Sequence, residues 1–192
     1  MTFRIEEKLY IRPENLIDFR NYLKKKSINR IYNPRKIKSL YFDNSNLEMY
    51  NDSIEGLVPR KKIRIRCYPD DQDKNFYLEI KNSSVEGRFK SRKTIDNNSF
   101  DQYRQNGVLD SQYGICLPNF YVSYKREYAM LEDVRVSIDT DIFYNDYRTQ
   151  LIHRDDKIIV EIKTSIKKNL DDLVELFPFQ RTRFSKYCFA VQ

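Results

Sequence analysis

The chain has 192 residues, 35 Lys plus Arg against 28 Asp plus Glu, and a formal net charge of +7, with 40% hydrophobic and 14% aromatic residues. That much apolar material argues against disorder, and the length suits one domain with a core of its own. One histidine, His153, excludes a multi-histidine metal site, and four isolated glycines (Gly56, Gly87, Gly107, Gly114) exclude every glycine-rich phosphate loop. If phosphate is held, side chains must hold it. The three cysteines (Cys67, Cys116, Cys188) form no Cys-x-x-Cys pair, so neither a zinc site nor a disulfide framework is expected. A reducing cytoplasm is the expected setting. No apolar run has the length of a membrane span, and the first residues carry no signal-peptide core. The basic balance points to an anionic partner: nucleic acid, an acidic membrane face or a phosphorylated molecule.

In chain order, a first strand is predicted over Phe3 to Ile11. Pro13 then opens a helix with Leu16, Phe19 and Leu23 on one face, and Lys24, Lys25 and Lys26 suit its negative end. A strand follows near Ile37 to Phe42. Asp43, Asn44, Ser45 and Asn46 can cap a short helix carrying Leu47, Tyr50 and Ile54, ended by Gly56. Further strands are predicted near Lys61 to Tyr68, Asn75 to Asn82, Arg88 to Ile95, Asn119 to Met130, Val134 to Phe143 and Ile158 to Thr164. A helical piece near Ser99 to Gln105 interrupts them. Leu170, Leu173, Val174 and Phe177 form a helical stripe behind the candidate cap Asn169. Arg181 to Val191 fits helix or strand equally. No linker divides the chain, so a single domain over 1–192 is expected, an α+β protein of about eight largely antiparallel strands.

Alternation sorts the charges, because successive strand side chains point to opposite faces. Lys62, Arg64 and Arg66 oppose Ile63 and Ile65, and Glu79 and Lys81 oppose Leu78 and Ile80. Lys90 shares a face with Arg92, and Arg126 with Tyr124 and Tyr128. Arg135, Ser137 and Asp139 oppose Val134, Val136 and Ile138. Glu161 and Lys163 oppose Val160 and Ile162, and Glu6 and Lys8 share the face of Arg4. One reading is an open sheet with a solvated face. The other is a cationic interior, which repels itself unless a polyanion occupies it. Long cations fill most of these positions, where a solvent face would mix in Thr, Ser and Gln, so composition leans to the second.

Ser39-Leu40-Tyr41-Phe42-Asp43 followed by Tyr50 resembles a hallmark of the VTC (vacuolar transporter chaperone) domain. The resemblance continues through Arg64-Ile65-Arg66, Leu78-Glu79-Ile80-Lys81, Lys90-Ser91-Arg92 and Tyr124-Lys125-Arg126. It ends with Arg135-Val136-Ser137-Ile138-Asp139, Glu161-Ile162-Lys163 and Phe184-Ser185-Lys186-Tyr187, all in the family's order. It implies a triphosphate tunnel metalloenzyme fold, a closed antiparallel barrel with a basic bore and helices outside. The implied activity is polyphosphate polymerase: transfer of the ATP γ-phosphate to a growing polyphosphate chain. By motif position, Lys8, Arg64, Arg66, Lys81, Lys90, Arg126, Arg135 and Lys186 would line the tunnel and hold phosphates. Glu161 would hold Mn²⁺ or Mg²⁺, and Lys163, Ser185 and Tyr187 would support them. The wider superfamily's Glu-x-Glu-x-Lys reads Arg4-Ile5-Glu6-Glu7-Lys8 here, so the first glutamate is missing. That favours the VTC branch and puts a second metal in doubt. Fungal members add a phosphate-sensing SPX domain and membrane helices, and this sequence shows neither.

Phosphoryl transfer asks mainly for positioning and charge neutralisation, which a ring of Arg and Lys on strands supplies. A terminal phosphate is already an anionic nucleophile, so no histidine base is required, and His153 between charged neighbours reads as a surface residue. Hydrolysis of tripolyphosphate or a nucleoside triphosphate, with Glu6 or Glu79 activating water, is the rival chemistry. Capture of polyphosphate without turnover is a third reading. Glu79 and Glu161 have a plainer role open to them as ion-pair partners. Lys62 reads as a surface charge. Nucleic-acid binding is not expected, because the cations alternate with aliphatic residues rather than aromatic ones.

Overall fold

The computed structural model describes residues 4–73, 75–165 and 169–192. They contain ten strands and five α-helices, an α+β arrangement. The strands are β1 (Arg4–Ile11), β2 (Asn29–Asp43), β3 (Arg60–Cys67), β4 (Phe76–Ser84), β5 (Gly87–Ile95), β6 (Val108–Asp110), β7 (Gly114–Leu131), β8 (Val134–Asp146), β9 (Ile152–Asp155) and β10 (Ile158–Ser165). The helices are α1 (Leu16–Lys25), α2 (Glu48–Glu55), α3 (Asn97–Asn106), α4 (Leu170–Leu176) and α5 (Lys186–Val191). Hydrogen-bonded neighbours follow β1-β10-β8-β7-β2-β3-β4-β5, with β6 on β7 and β9 on β8. The registers of β1 with β10, β10 with β8, β2 with β3, β3 with β4 and β4 with β5 are all antiparallel. No β1–β5 pairing appears among the described residues.

The predicted strands are all present, and most are longer than their alternation foretold. β2 begins eight residues before the expected Ile37, because its polar start (Asn29 to Lys36) carries no apolar alternation to reveal it. The short β6 and β9 were not foreseen; three or four residues hold too little pattern. Phe3, the expected start of β1, lies outside the described residues. The undecided last segment is helix α5, capped by the Ser185 hydroxyl, which accepts from the Cys188 N–H.

Two compact units make up the chain. The first comprises Met1–Arg35, Tyr124–Ile142 and Arg154–Phe184, and the second Lys36–Ser123, Phe143–His153 and Ser185–Gln192. In the first, one face of β1, β8 and β10 buries Leu9, Ile11, Val134, Val136, Ile138, Val160 and Ile162 against Phe19 and Leu23 of α1 and Leu173 of α4. Burial of this kind contributes about 25 cal/mol per Å² of apolar surface and dominates the stability. A capping box, Asn169 and Asp172 bonding each other's backbone N–H, starts α4. Of the expected stripe on this helix, Leu173 and Phe177 are fully buried while Leu170 and Val174 are half exposed. The apolar seam is therefore narrower than the sequence spacing implied.

In the second unit, α2 begins at a side-chain cap on the residues expected. Asp43 accepts N–H bonds from Asn44 (2.8 Å), Met49 and Tyr50 (both 3.0 Å), and Asn44 Oδ1 accepts from Glu48 (3.0 Å). The buried residue of α2 is Met49, and Ile54 is exposed. Gly56 closes the helix at φ 76°, a left-handed position where Cβ is disfavoured. Among the described residues no helix is long and apolar enough to cross a membrane.

Candidate phosphate-binding clusters

The second unit carries a buried carboxylate ringed by cations. On β4 the ionic face is the buried one at Glu79, which is 1% exposed, while Leu78 and Ile80 are half-buried. Glu79 Oε2 accepts from Arg64 Nε (2.8 Å) and Nη2 (2.6 Å), and Oε1 accepts from Lys90 Nζ (2.5 Å). Arg66 Nη1 stands 3.8 Å and Arg92 Nε 3.9 Å from the same carboxylate. Register explains the convergence: Arg64 of β3, Glu79 of β4 and Arg92 of β5 lie directly opposite one another. Burial alone would raise the Glu79 carboxyl, but the charges of Arg64 and Arg66 and the bonds from Lys90 and Arg64 hold it at about 2. Four cations converge on this one carboxylate, and Arg64 and Arg66 are themselves each 8% exposed.

The Ser39 to Asp43 motif acquires a structural meaning here. Its alternate residues face the cations: Ser39 is in register with Arg66, and Tyr41 with Arg64. Ser39 Oγ accepts from Arg66 Nε (3.5 Å), and the Tyr41 hydroxyl accepts from Arg64 Nη1 (2.9 Å). Tyr41 stacks on Tyr187 with ring centroids 5.2 Å apart, and the Tyr187 hydroxyl donates to Asp43 Oδ2 (2.5 Å). Burial would raise the Tyr41 hydroxyl, yet the positive charges of Arg64, Arg66 and Lys186 bring it below its ordinary value. A chain of contacts thus runs from the start of α2 through Asp43, Tyr187 and Tyr41 to the Arg64 guanidinium. Such a chain fixes the direction of the guanidinium's fork.

The first unit carries a second cluster with a different balance. On β1 and β10, Glu6 pairs in register with Lys163 and Lys8 with Glu161. On β8, Arg135 follows Lys163 and Ser137 follows Glu161. Lys163 Nζ lies 3.1 Å from Glu161 and 3.3 Å from Glu6. Arg126 donates to both oxygens of the fully buried Asp139 (2.5 and 2.7 Å) and stands 3.6 Å from Glu161. Lys8 Nζ donates to the Phe184 carbonyl (2.6 Å). Burial raises Glu6, and its hydrogen bond with Glu161 and that group's charge raise it further, against Lys163 and Lys8. Burial would raise Glu161 too, but the bond with Glu6 and the charges of Arg126, Lys163 and Lys8 pull it well below the usual range.

These two clusters gather most of the residues implied by motif position. Arg64, Arg66 and Lys90 meet at Glu79, and Lys186 lies near enough to act on Tyr41. Lys81 is exposed on β4, opposite Lys90. Lys8, Arg126, Glu161 and Lys163 gather in the first unit, where Arg135 is exposed on β8. Ser185 caps α5 and also accepts from Lys62 Nζ (2.8 Å). Lys62, read from sequence as a surface charge, is half-buried instead. The pairing of Glu6 with Glu161, of Arg126 with Asp139 and of Tyr41 with Arg64 was not foreseen. Alternation showed the shared faces but not the partners. His153 is exposed and stacks on Tyr144 (6.3 Å between centroids), as a surface residue would.

The VTC domain family matches residues 3–113 and 109–192, and the chain belongs to that family. No curated protein matches the chain by sequence. Its fold is similar to that of a candidate adenylate cyclase from Bacillus halodurans (TM-score 0.64, 11% identity, 96% of this chain and 94% of that one). It is also similar to a candidate adenylate cyclase from Vibrio parahaemolyticus (0.60, 11%, 98% and 98%). A conserved hypothetical protein from Pyrococcus furiosus is similar as well (0.61, 16%, 97% and 99%). At such identities the likeness speaks to fold alone.

Proposed function

We propose that the protein is a polyphosphate polymerase that transfers the γ-phosphate of ATP to a polyphosphate chain. The observation that carries this reading is the Glu79 cluster, where four cations converge on one buried carboxylate. Cations gathered this closely attract a phosphate chain. Arg64 and Arg66 present rigid donor forks to phosphate oxygens, and Lys81, Lys90 and Lys186 add point charges. β3, β4, β5 and α5 hold them in place before substrate arrives, so the charge developing on transferred and leaving groups is met without reorganisation. The acceptor is the terminal oxyanion of a phosphate chain, which attacks phosphorus while the bond to ADP breaks. No proton has to leave the nucleophile.

Glu161, with Glu6, would hold a divalent ion. The donor set fits a hard ion: two carboxyl groups in contact, with the Lys163 ammonium between them where a cation can take its place. Among the described residues no group of three or more His, Cys, Asp or Glu is placed to hold a metal. An Mn²⁺ or Mg²⁺ ion held by Glu161 and Glu6 would supply charge neutralisation to a phosphate group. Arg126, anchored on Asp139, and Lys8, anchored on the Phe184 carbonyl, would keep the remaining charge near phosphate.

A hydrolytic reading has one observation in its favour, the raised Glu6 carboxyl, which makes it a better base than an ordinary glutamate. Glu79 does not serve that role, because a carboxyl held at about 2 accepts protons poorly. The two chemistries separate in one assay. The full chain is incubated with ATP and Mn²⁺, and products are resolved on a gel and by phosphate release. A ladder of long chains is the expected result. Free phosphate without a ladder favours hydrolysis, and tight triphosphate binding without either favours a binding module.

A further inference from the structure

Three lysines in the second unit stand in one cross-strand row. Lys62 of β3 is directly opposite Lys81 of β4, and Lys81 is directly opposite Lys90 of β5. Like charges opposite one another in a sheet are destabilising. The neighbouring row, Arg64-Glu79-Arg92, has a carboxylate at its centre, whereas the centre of the lysine row is a third cation. Lys90 reaches across to Glu79. Lys62 turns elsewhere: its Nζ donates to Ser185 Oγ (2.8 Å) and lies 3.8 Å from Cys188 Sγ. Neither contact neutralises the ammonium. The carboxylate at the end of β2, Asp43, is taken up by three backbone N–H groups and the Tyr187 hydroxyl.

We infer that Lys62 is a further phosphate-contacting residue, and that the row Lys62-Lys81-Lys90 with the Ser185 hydroxyl forms a subsite for a linear phosphate chain. The inference rests on the reading that the Glu79 cluster holds phosphate, and it adds a specificity element to it. Two strand spacings separate the ends of the row, about 9–10 Å, which is more than one phosphate group occupies. The row lies two residues along β3 from Arg64, about 6.6 Å away. Phosphates bound at Arg64 and Arg66 therefore continue onto the lysine row only when the ligand is long. Ser185 then serves as both rest and partner: its hydroxyl accepts from Lys62 in the free protein and can donate to a phosphate oxygen in the complex.

The test is calorimetric titration of the full chain with inorganic tripolyphosphate and with long-chain polyphosphate. Lys62→Met is expected to weaken long-chain binding about tenfold or more and tripolyphosphate binding less than about threefold, as loss of one charge-assisted contact would. Lys62→Gln keeps a donor to Ser185 without the charge. It should melt like wild type yet share the long-chain defect, so a folding defect in Lys62→Met cannot decide the outcome. Lys93→Met removes an exposed cation from the opposite face of β5, in register with Leu78, and should change either affinity less than about twofold. Lys62→Gln binding long chains as tightly as Lys93→Met, or losing both ligands equally, would overturn the assignment. Wild-type protein that binds neither ligand would instead overturn the phosphate reading of the whole cluster, and this subsite with it.

Discussion

The two charged clusters use the same residue types on the same kind of strand and reach opposite balances. Around Glu161 the charges alternate across the strands, with Glu6 facing Lys163 and Lys8 facing Glu161, and Asp139 holds Arg126. Around Glu79 they accumulate: Arg64, Arg66, Lys90 and Arg92 share one carboxylate, and three lysines stand in a row beside it. In the first arrangement acids and bases pair off across the strands, which suits holding a metal ion. In the second, cations gather at one carboxylate, which suits binding an anion. A charge census would call both basic, but only the partner list tells them apart.

The most forceful way to break this contrast is to remove Glu79. Glu79→Ala leaves four cations uncompensated and should cost about 3–5 kcal/mol of stability, the usual penalty for orphaning buried charge. Denaturant titration measures the loss, and added tripolyphosphate should recover more stability in the variant than in wild type. A stable variant insensitive to phosphate would show that the cluster attracts no phosphate chain. Next in size is Glu161→Gln. It should lower metal-dependent turnover by roughly 100-fold or more, as loss of several kcal/mol of metal assistance would, while triphosphate binding persists. Unchanged turnover in the gel assay would move the metal elsewhere.

Arg64→Ala and Arg126→Ala sharpen the contrast more finely. Removing Arg64 should weaken triphosphate binding by about 1.5–3 kcal/mol, roughly 10- to 150-fold. Removing Arg126 takes both of its hydrogen bonds from the buried Asp139 and should show first in thermal stability. Equal binding losses in the two variants would mean that the clusters do the same work. The smallest effect is the acid limb. The Glu79 carboxyl is depressed to about 2 in the folded chain, below its unfolded value of about 4.3, so the folded state binds that proton less readily. Its contribution is complete above the unfolded value and is lost as pH falls from about 4.3 towards about 2. Wild type should therefore lose stability relative to Glu79→Gln across that window, and parallel acid titrations would contradict the assignment.

Much of the fold was legible because alternation and caps are local. Ile63 and Ile65 against Arg64 and Arg66 announced β3, and Asn169 ahead of the stripe from Leu170 to Phe177 announced α4. The polar start of β2 and the short β6 and β9 carried no such pattern. Candidate site residues were legible one by one, through their shared faces and through the family motifs. Lys62 was misjudged because its partner, Ser185, lies more than a hundred residues away, and no local pattern reports a hydroxyl brought in by the last helix.

What the amino-acid sequence determined by itself is which face of each strand is ionic, since a period of two follows from the pleat. It also determined that phosphate must be met by side chains, because no glycine loop exists. Tertiary structure alone decided which charges meet. Register set Arg64 opposite Glu79 and Lys62 opposite Lys81, and register depends on hydrogen bonds between strands distant in the chain. Charge at a distance cannot be read from composition, because the energy of a pair depends on separation and burial, and both are properties of the folded chain.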